Sequence, residues 1–276
     1  MQLSVIIPTY NRAHTLIRAL TSVVSQTSAV DEIIVVDDGS TDHSVELIQN
    51  HFPQVTLIQQ PNRGVSAARN VGIQKARHEW IALLDSDDEW LPSKIEVIRQ
   101  THLSQPQLRI IHSNEIWVRN GVRVNAMNKH QKAGGWIFKQ CLPLCVISPS
   151  AVVIHKSILD QIGLFDESLP ACEDYHLWLR LCHRFEVFYI DQPLIIKYGG
   201  HDDQLSRQFW GMDRFRIRAL HHLKQLDTLS EEQQQLTTHM LQRKLRILLK
   251  GAHKHGNQNI IDEFQPLMTH YESLPC

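Results

Sequence analysis

The sequence predicts an α/β fold, a mostly parallel sheet with helices on both faces. Three observations predict it. Short runs that are apolar on both faces recur through the first hundred residues, amphipathic stretches separate them, and polar turn-forming clusters close the runs. The first run, LSVIIP (3–8), leads into NRAHTLIRALTSVVSQ (11–26). That stretch places Ala13, Leu16, Ile17, Leu20, Val23 and Val24 on one helical face, with Asn11 as the expected N-cap. EIIVVDD (32–38) is the second strand, and the helix after it is expected to be capped near Ser40 to Asp42. VTLIQQ (55–60), GVSAARNVGIQKA (64–76) and EWIALLDSD (79–87) repeat the scheme.

Beyond Pro92 the pattern loosens. PSKIEVIRQTHLSQ reads as a helix, and IIHSNEIWVRNGVRVNAM as two strands around the Asn120-Gly121 turn, a strong hairpin signal. A strand AVVIHK and the helices KSILDQIG and EDYHLWLRLCHRF follow. From about 205 the chain is polar and helical, with no β-run. The expected layout is a nucleotide-binding half (1–100), a mixed half of the same domain (101–204) and a helical C-terminal extension (205–276).

Composition excludes several classes. With 42% hydrophobic and 21% charged residues, the 276-residue chain can bury a real core. A net charge of −1 gives no basic field for nucleic acid. No window approaches the roughly 20 apolar residues of a membrane span, and LSVIIP follows Met1 without a charged leader. Five cysteines, odd in number and without a CxxC pair, fit a reduced compartment. A cytoplasmic protein, at most peripheral at the inner face of the membrane, is expected.

In an open parallel sheet, ligands bind outside the carboxyl ends of the strands. PTYNR (8–12), DDGSTD (37–42), PNRGVSAARN (61–70) and DSDD (85–88) all fall at that edge. Any one of them is an ordinary turn; four at one edge are harder to dismiss. Asp85 and Asp87 leave the pleat one residue apart, so a turn can bring both carboxylates to one place. With phosphate oxygens they make an all-oxygen site suited to Mg²⁺ or Mn²⁺. A calcium loop is excluded, because Trp90 stands where the sixth-position glycine is needed. Arg69 follows Gly64 in a helix, where it can reach a diphosphate or pair with Asp85 or Asp87, and both readings stay open. Arg12 is a second cation at a helix start, Asp38 can accept a hydrogen bond from a base or ribose, and Tyr10 offers a flat face. Asp174, alone, reads as a helix N-cap.

Taken together, VIIPTYNR, IIVVDDGSTD, NRGVSAARNVGI, ALLDSDDEW and LFDESLPACEDYHLWLRL resemble the family 2 glycosyltransferases, inverting enzymes with the GT-A fold. The resemblance runs from residue 5 to about 181. It implies a transfer from a nucleoside diphosphate sugar, with a UDP-sugar expected, to a hydroxyl on a glycan or lipid-linked acceptor. It also implies bacterial surface polysaccharide as the destination. By the family's pattern Asp85 and Ser86 lie toward the nucleoside, Asp87 ligates Mn²⁺ or Mg²⁺, and Pro8, Thr9, Tyr10 and Asp38 meet the base. Arg12 and Arg69 lie near the nucleotide. The ED pair supplies the base, Asp174, with Glu173 as fallback. His201, after two glycines, is placed in the metal shell. The same pattern makes 101–204 the acceptor-binding and catalytic half.

Two other functions compete. A sugar-1-phosphate nucleotidyltransferase needs a Gly-rich loop after strand one, and PTYNRAHTL has no glycine. A non-catalytic glycan-binding protein on the same fold would not need Asp85, Asp87 and Asp174 together. In the extension, no acidic residue lies between Glu232 and Asp262, and Arg243, Lys244, Arg246, Lys250 and Lys254 mix with leucines. Such a stripe packs on its own domain, on a second subunit or on an anionic membrane.

Overall fold

The computed structural model describes residues 1–125, 130–200 and 209–273. Those residues form nine strands: β1 (Leu3–Thr9), β2 (Glu32–Asp37), β3 (Thr56–Gln59), β4 (Trp80–Leu83), β5 (Glu89–Trp90), β6 (Ile110–Arg119), β7 (Val122–Val124), β8 (Val152–His155) and β9 (Phe188–Gly199). They join in one sheet of order β3-β2-β1-β4-β8-β6-β9-β5, with β7 on β6. The half containing β1 to β4 is parallel, as the alternation of strand and helix predicts. From β8 onward the pairing is antiparallel except between β6 and β9, so the sheet is mixed. The Asn120-Gly121 hairpin is present, with both residues at positive φ.

The helices are α1 (Ala13–Val24), α2 (Ser44–His51), α3 (Val65–Lys75), α4 (Lys94–Ser104), α5 (Phe138–Cys141), α6 (Lys156–Ile162), α7 (Glu173–Cys182), α8 (Asp213–Lys224), α9 (Glu231–Lys254) and α10 (Gln258–Glu272). Strand residues alternate between two cores because successive side chains point to opposite faces. Leu3, Val5, Ile7, Ile33 and Val35 pack with Leu16 and Leu20 of α1, Ile48 of α2 and Ile95 of α4. Ile6, Ile34, Val36, Ile81 and Leu83 pack on the other side with α3, α6 and α7. A Cβ on Gly72 would stand 2.3 Å from Ile6 Cγ2, so glycine is what lets α3 lie this close to β1.

One local expectation fails and a second is narrowed to Asp42. Asn11 does not cap α1; Arg12 holds that position. Asn11 takes a left-handed conformation (φ 52°), and its Oδ1 accepts from the backbone N–H of Thr41 at 2.8 Å. It thus staples the loop after β1 to the loop after β2, since a short amide side chain bonds neighbouring backbone as readily as it caps. The helix expected to be capped near Ser40 to Asp42 begins at Ser44, whose N–H is bound by Asp42 Oδ1 at 2.9 Å.

The C-terminal helices are part of the larger core. Phe215, Leu220, Leu241, Leu245, Leu248, Phe264 and Met268 are buried within it. The leucines of the basic stripe therefore face inward. Lys244 is buried too, its Nζ 3.0 Å from Pro143 O and 3.0 Å from Asp213 Oδ1. Of the stripe's large apolar side chains, Ile247 stays exposed. Among the described residues no helix is long and apolar enough to cross a membrane.

Candidate active site

A cavity of about 540 Å³ opens at the carboxyl ends of β1, β2 and β4. Pro8, Thr9, Tyr10, Arg12, Asp38, Arg69, Asp85, Ser86, Asp87, Glu173 and Asp174 all line it, so residues predicted from distant segments meet in one space. His201 lies outside the described residues.

Each wall has a local cause. Asp38 is buried, and its Oδ1 and Oδ2 accept from the backbone N–H groups of Arg63 (2.9 Å) and Gly64 (2.8 Å). Gln60 Nε2 adds a third bond at 2.7 Å. Asp38 thereby shapes the loop that delivers Gly64, Val65 and Ala68 of the α3 N-terminus to the cavity. That helix end carries partial positive charge and lacks bulky side chains, a setting that favours an anion. Tyr10 stands 46% exposed at the rim.

Of the two readings of Arg69, the ion pair is the one formed here, while the side chain also lines the cavity. Its guanidinium donates to Asp85 Oδ1 and to Glu173 Oε1, both at 2.7 Å, with only 4% of the side chain exposed. One cation therefore ties the strand-end acids to the first turn of α7. Burial pushes the Glu173 carboxyl up, and the adjoining Asp174 adds to this, while Arg69 opposes it. Asp174 is half-buried; its Oδ1 accepts from Tyr175 N–H at 2.6 Å, and its Oδ2 lies 3.2 Å from the Cys145 thiol. Burial and then Asp174 hold that thiol's pKa well up, so Cys145 stays an S–H donor.

Asp88 differs from its neighbours. It is fully buried, accepts from Ser150 Oγ at 2.6 Å and from Tyr198 N–H at 3.1 Å, and anchors the acid loop to β9. Burial holds its carboxyl well above the usual range, against the pull of Lys197. Arg18 of α1 clamps the loop from outside: it donates to Asp87 O at 2.6 Å and stacks 3.7 Å over the Tyr198 ring.

Sequence reasoning missed Lys197, Met212, Arg216 and Cys145, which also line the cavity. Burial works against the charge of Lys197, yet Asp88, Glu115, Asp85 and Asp174 raise its pKa overall. A lone lysine inside the apolar run PLIIKYG was the available signal. Met212 and Arg216 bring the C-terminal region into the site, with Arg216 held by Asp213 at 2.9 Å.

Beneath the acids lies a buried polar layer. Lys132 Nζ stands 3.1 Å from Glu115 Oε2 and donates to Val146 O at 3.0 Å, while Lys94 Nζ donates to Ala151 O at 3.1 Å. His112 on β6 belongs to this layer, its Nε2 2.9 Å from Ala133 O. Burial, with Lys132 adding, pushes His112 down to about 3. A histidine whose folded pKa lies below its unfolded value gives stability that is present above about pH 6.5 and is lost as pH falls. Between pH 7 and 5 the protein should lose on the order of 2 kcal/mol more than a His112→Gln variant, read from urea midpoints. Equal losses would remove His112 from the account.

The model for glycosyl transferase family 2 matches residues 4–160. The uncharacterized glycosyltransferase RC0461 of Rickettsia conorii is 33% identical over 203 residues, 70% of this chain and 32% of the relative. RT0329 of Rickettsia typhi is 30% identical over 214 residues, 74% of this chain and 65% of the relative. The chain thus spans about a third of the first relative's length and under two thirds of the second's. Among solved structures, S. aureus TarS 1–349 in complex with UDP-GlcNAc superposes with a TM-score of 0.71 at 19% identity, covering 89% of this chain and 72% of that one. The same protein in complex with UDP gives 0.66 at 20%, covering 89% and 71%. Likeness at that identity shows a shared fold.

Proposed function

The chain belongs to glycosyl transferase family 2, and from that premise we propose that it moves a sugar from a nucleoside diphosphate sugar to an acceptor hydroxyl, inverting the anomeric centre. One observation carries the reading: Arg69 bridges Asp85 and Glu173, so the strand-end acids and the acidic start of α7 face one cavity. The UDP and UDP-GlcNAc held by the TarS structures support a UDP-sugar as donor.

In this mechanism Tyr10 and the Asp38 loop receive the base and Asp85 orients the nucleoside. The α3 N-terminus, Lys197 and Arg216 favour the diphosphate. Asp174 takes the proton of the acceptor hydroxyl as its oxygen bonds to the anomeric carbon and the bond to the diphosphate breaks. A single displacement inverts that carbon and needs no carboxylate nucleophile. Asp85, Ser86 and Asp87 present oxygen donors to one side of the cavity, a set that fits Mn²⁺ or Mg²⁺ with Asp87 as ligand. Such an ion would offset the charge that develops on the leaving diphosphate. The Cys145 thiol lies 3.2 Å from both Asp174 Oδ2 and Ile147 O, and its one hydrogen serves one acceptor at a time, so it supports the base without being dedicated to it.

Thermal-shift titration with UDP-sugars, with and without Mn²⁺, tests this. Nucleotide should raise Tm, and more so with metal. Asp87→Ala should weaken the metal-dependent binding at least roughly tenfold, the loss that even an outer-shell change causes. A protein that no nucleotide sugar shifts, or an Asp87→Ala variant that binds like the parent, would overturn the donor site.

A further inference from the structure

Outside the cavity, three segments converge on one point. Asp166 precedes α7, His176 lies within it, and His222 lies on α8. Each offers one ligand atom, and these atoms lie within 4.8 Å of one another. His176 is 1% exposed, and its Nδ1 has no hydrogen-bond partner. Asp166 Oδ2 stands 3.7 Å from that nitrogen, too far for a hydrogen bond. Two atoms bound to one Zn²⁺ at about 2.0–2.1 Å stand on the order of 3.3 Å apart, close to this gap. The other ring nitrogen, Nε2, meets His222 Nδ1 at 2.9 Å.

The rest of the neighbourhood is built for a ligand carboxylate. Asp166 Oδ1 accepts from Ser168 N–H at 2.9 Å and from Ser168 Oγ at 2.7 Å, which fixes the orientation of Oδ2. Hydrogen bonds that hold a carboxylate in this way are the usual outer support of a metal site. His222 is exposed, so it can turn toward an ion and leave a position for water.

We propose that Asp166, His176 and His222 form a divalent-metal site of the Zn²⁺ type that ties α7 to α8, separate from the acids of the cavity. Two imidazoles and a carboxylate are a borderline-soft donor set, whereas Asp85 to Asp88 offer oxygen alone. Its role is structural, because it fixes α8, whose Arg216, with Met212 at the N-cap, walls the cavity.

The test uses the full chain stripped with chelator and titrated with Co²⁺, a visible reporter of tetrahedral sites, and with Zn²⁺. One equivalent should give a visible d–d absorption in the parent and in Asp87→Ala, lost in His222→Ala and in Asp166→Asn. Zn²⁺ at about a hundredfold over its Kd should raise the parent's Tm by roughly 5 °C or more, with little change in His222→Ala. Absence of stoichiometric binding, or binding that survives His222→Ala, overturns the site. Binding lost only in Asp87→Ala assigns the metal to the cavity and overturns it as well.

Discussion

Asp174→Asn is expected to lower kcat by about 10²–10⁴-fold, the range that a positioned general base contributes. Asparagine keeps the shape and still accepts from Tyr175 N–H, so the α7 start should hold. Nucleotide affinity should stay within a few-fold of the parent, because the proposed donor contacts lie on other segments. Single-turnover transfer and nucleotide titration on the same preparation separate the two. A variant that transfers at the parent rate would remove Asp174 from the chemistry. Glu173 is the poorer candidate for the base, because Arg69 already holds one of its oxygens at 2.7 Å in a buried ion pair. Glu173→Gln should therefore show itself first in stability.

Arg69→Met is expected to cost about 3–5 kcal/mol of unfolding free energy, the usual loss when one partner of a buried pair is removed. The size follows from what remains: Asp85 and Glu173, 24% and 6% exposed, would face each other without their shared cation. Arg69→Lys should recover only part of this, because an ammonium lacks the fork that serves two carboxylates at once. Combining Arg69→Met with Glu173→Gln should cost less than the two single changes summed, since the second removes a charge that the first strands. Urea midpoints of the four proteins measure the cycle. Strict additivity would mean that Arg69 does not act as a bridge.

How much of this was legible in the sequence depends on the range of the contact. The strand-end acids could be read because IALL and DSDD are adjacent, so burial and chemistry lie in one short stretch. The doubly apolar strands gave away the parallel half for the same reason. The Arg69–Asp85 pair, 16 residues apart, stood among the alternatives, but its second partner, Glu173, lies 104 residues away. Lys197 reaches the site because β9 pairs with β6 and places it opposite Trp117, a register set by tertiary packing. The amphipathic pattern of α8 to α10 reveals an apolar face without saying what that face covers. Only the structure shows that these helices pack into the larger core, with Met212 and Arg216 at the cavity.

A cavity wall made by α8 also has a consequence for assembly. Strands β1 to β4 and the Asp38 loop come from the first part of the chain, whereas the strand-end acids are anchored by Ser150 and Tyr198 far downstream. Met212 and Arg216 arrive only after every strand of the sheet has been made. Closing contacts of such wide sequence separation come late and slowly. A chain cut before α8 would leave the apolar bed of Phe215 and Leu220 facing water and the cavity without that wall. The full wall of the cavity thus depends on residues from both ends of the chain.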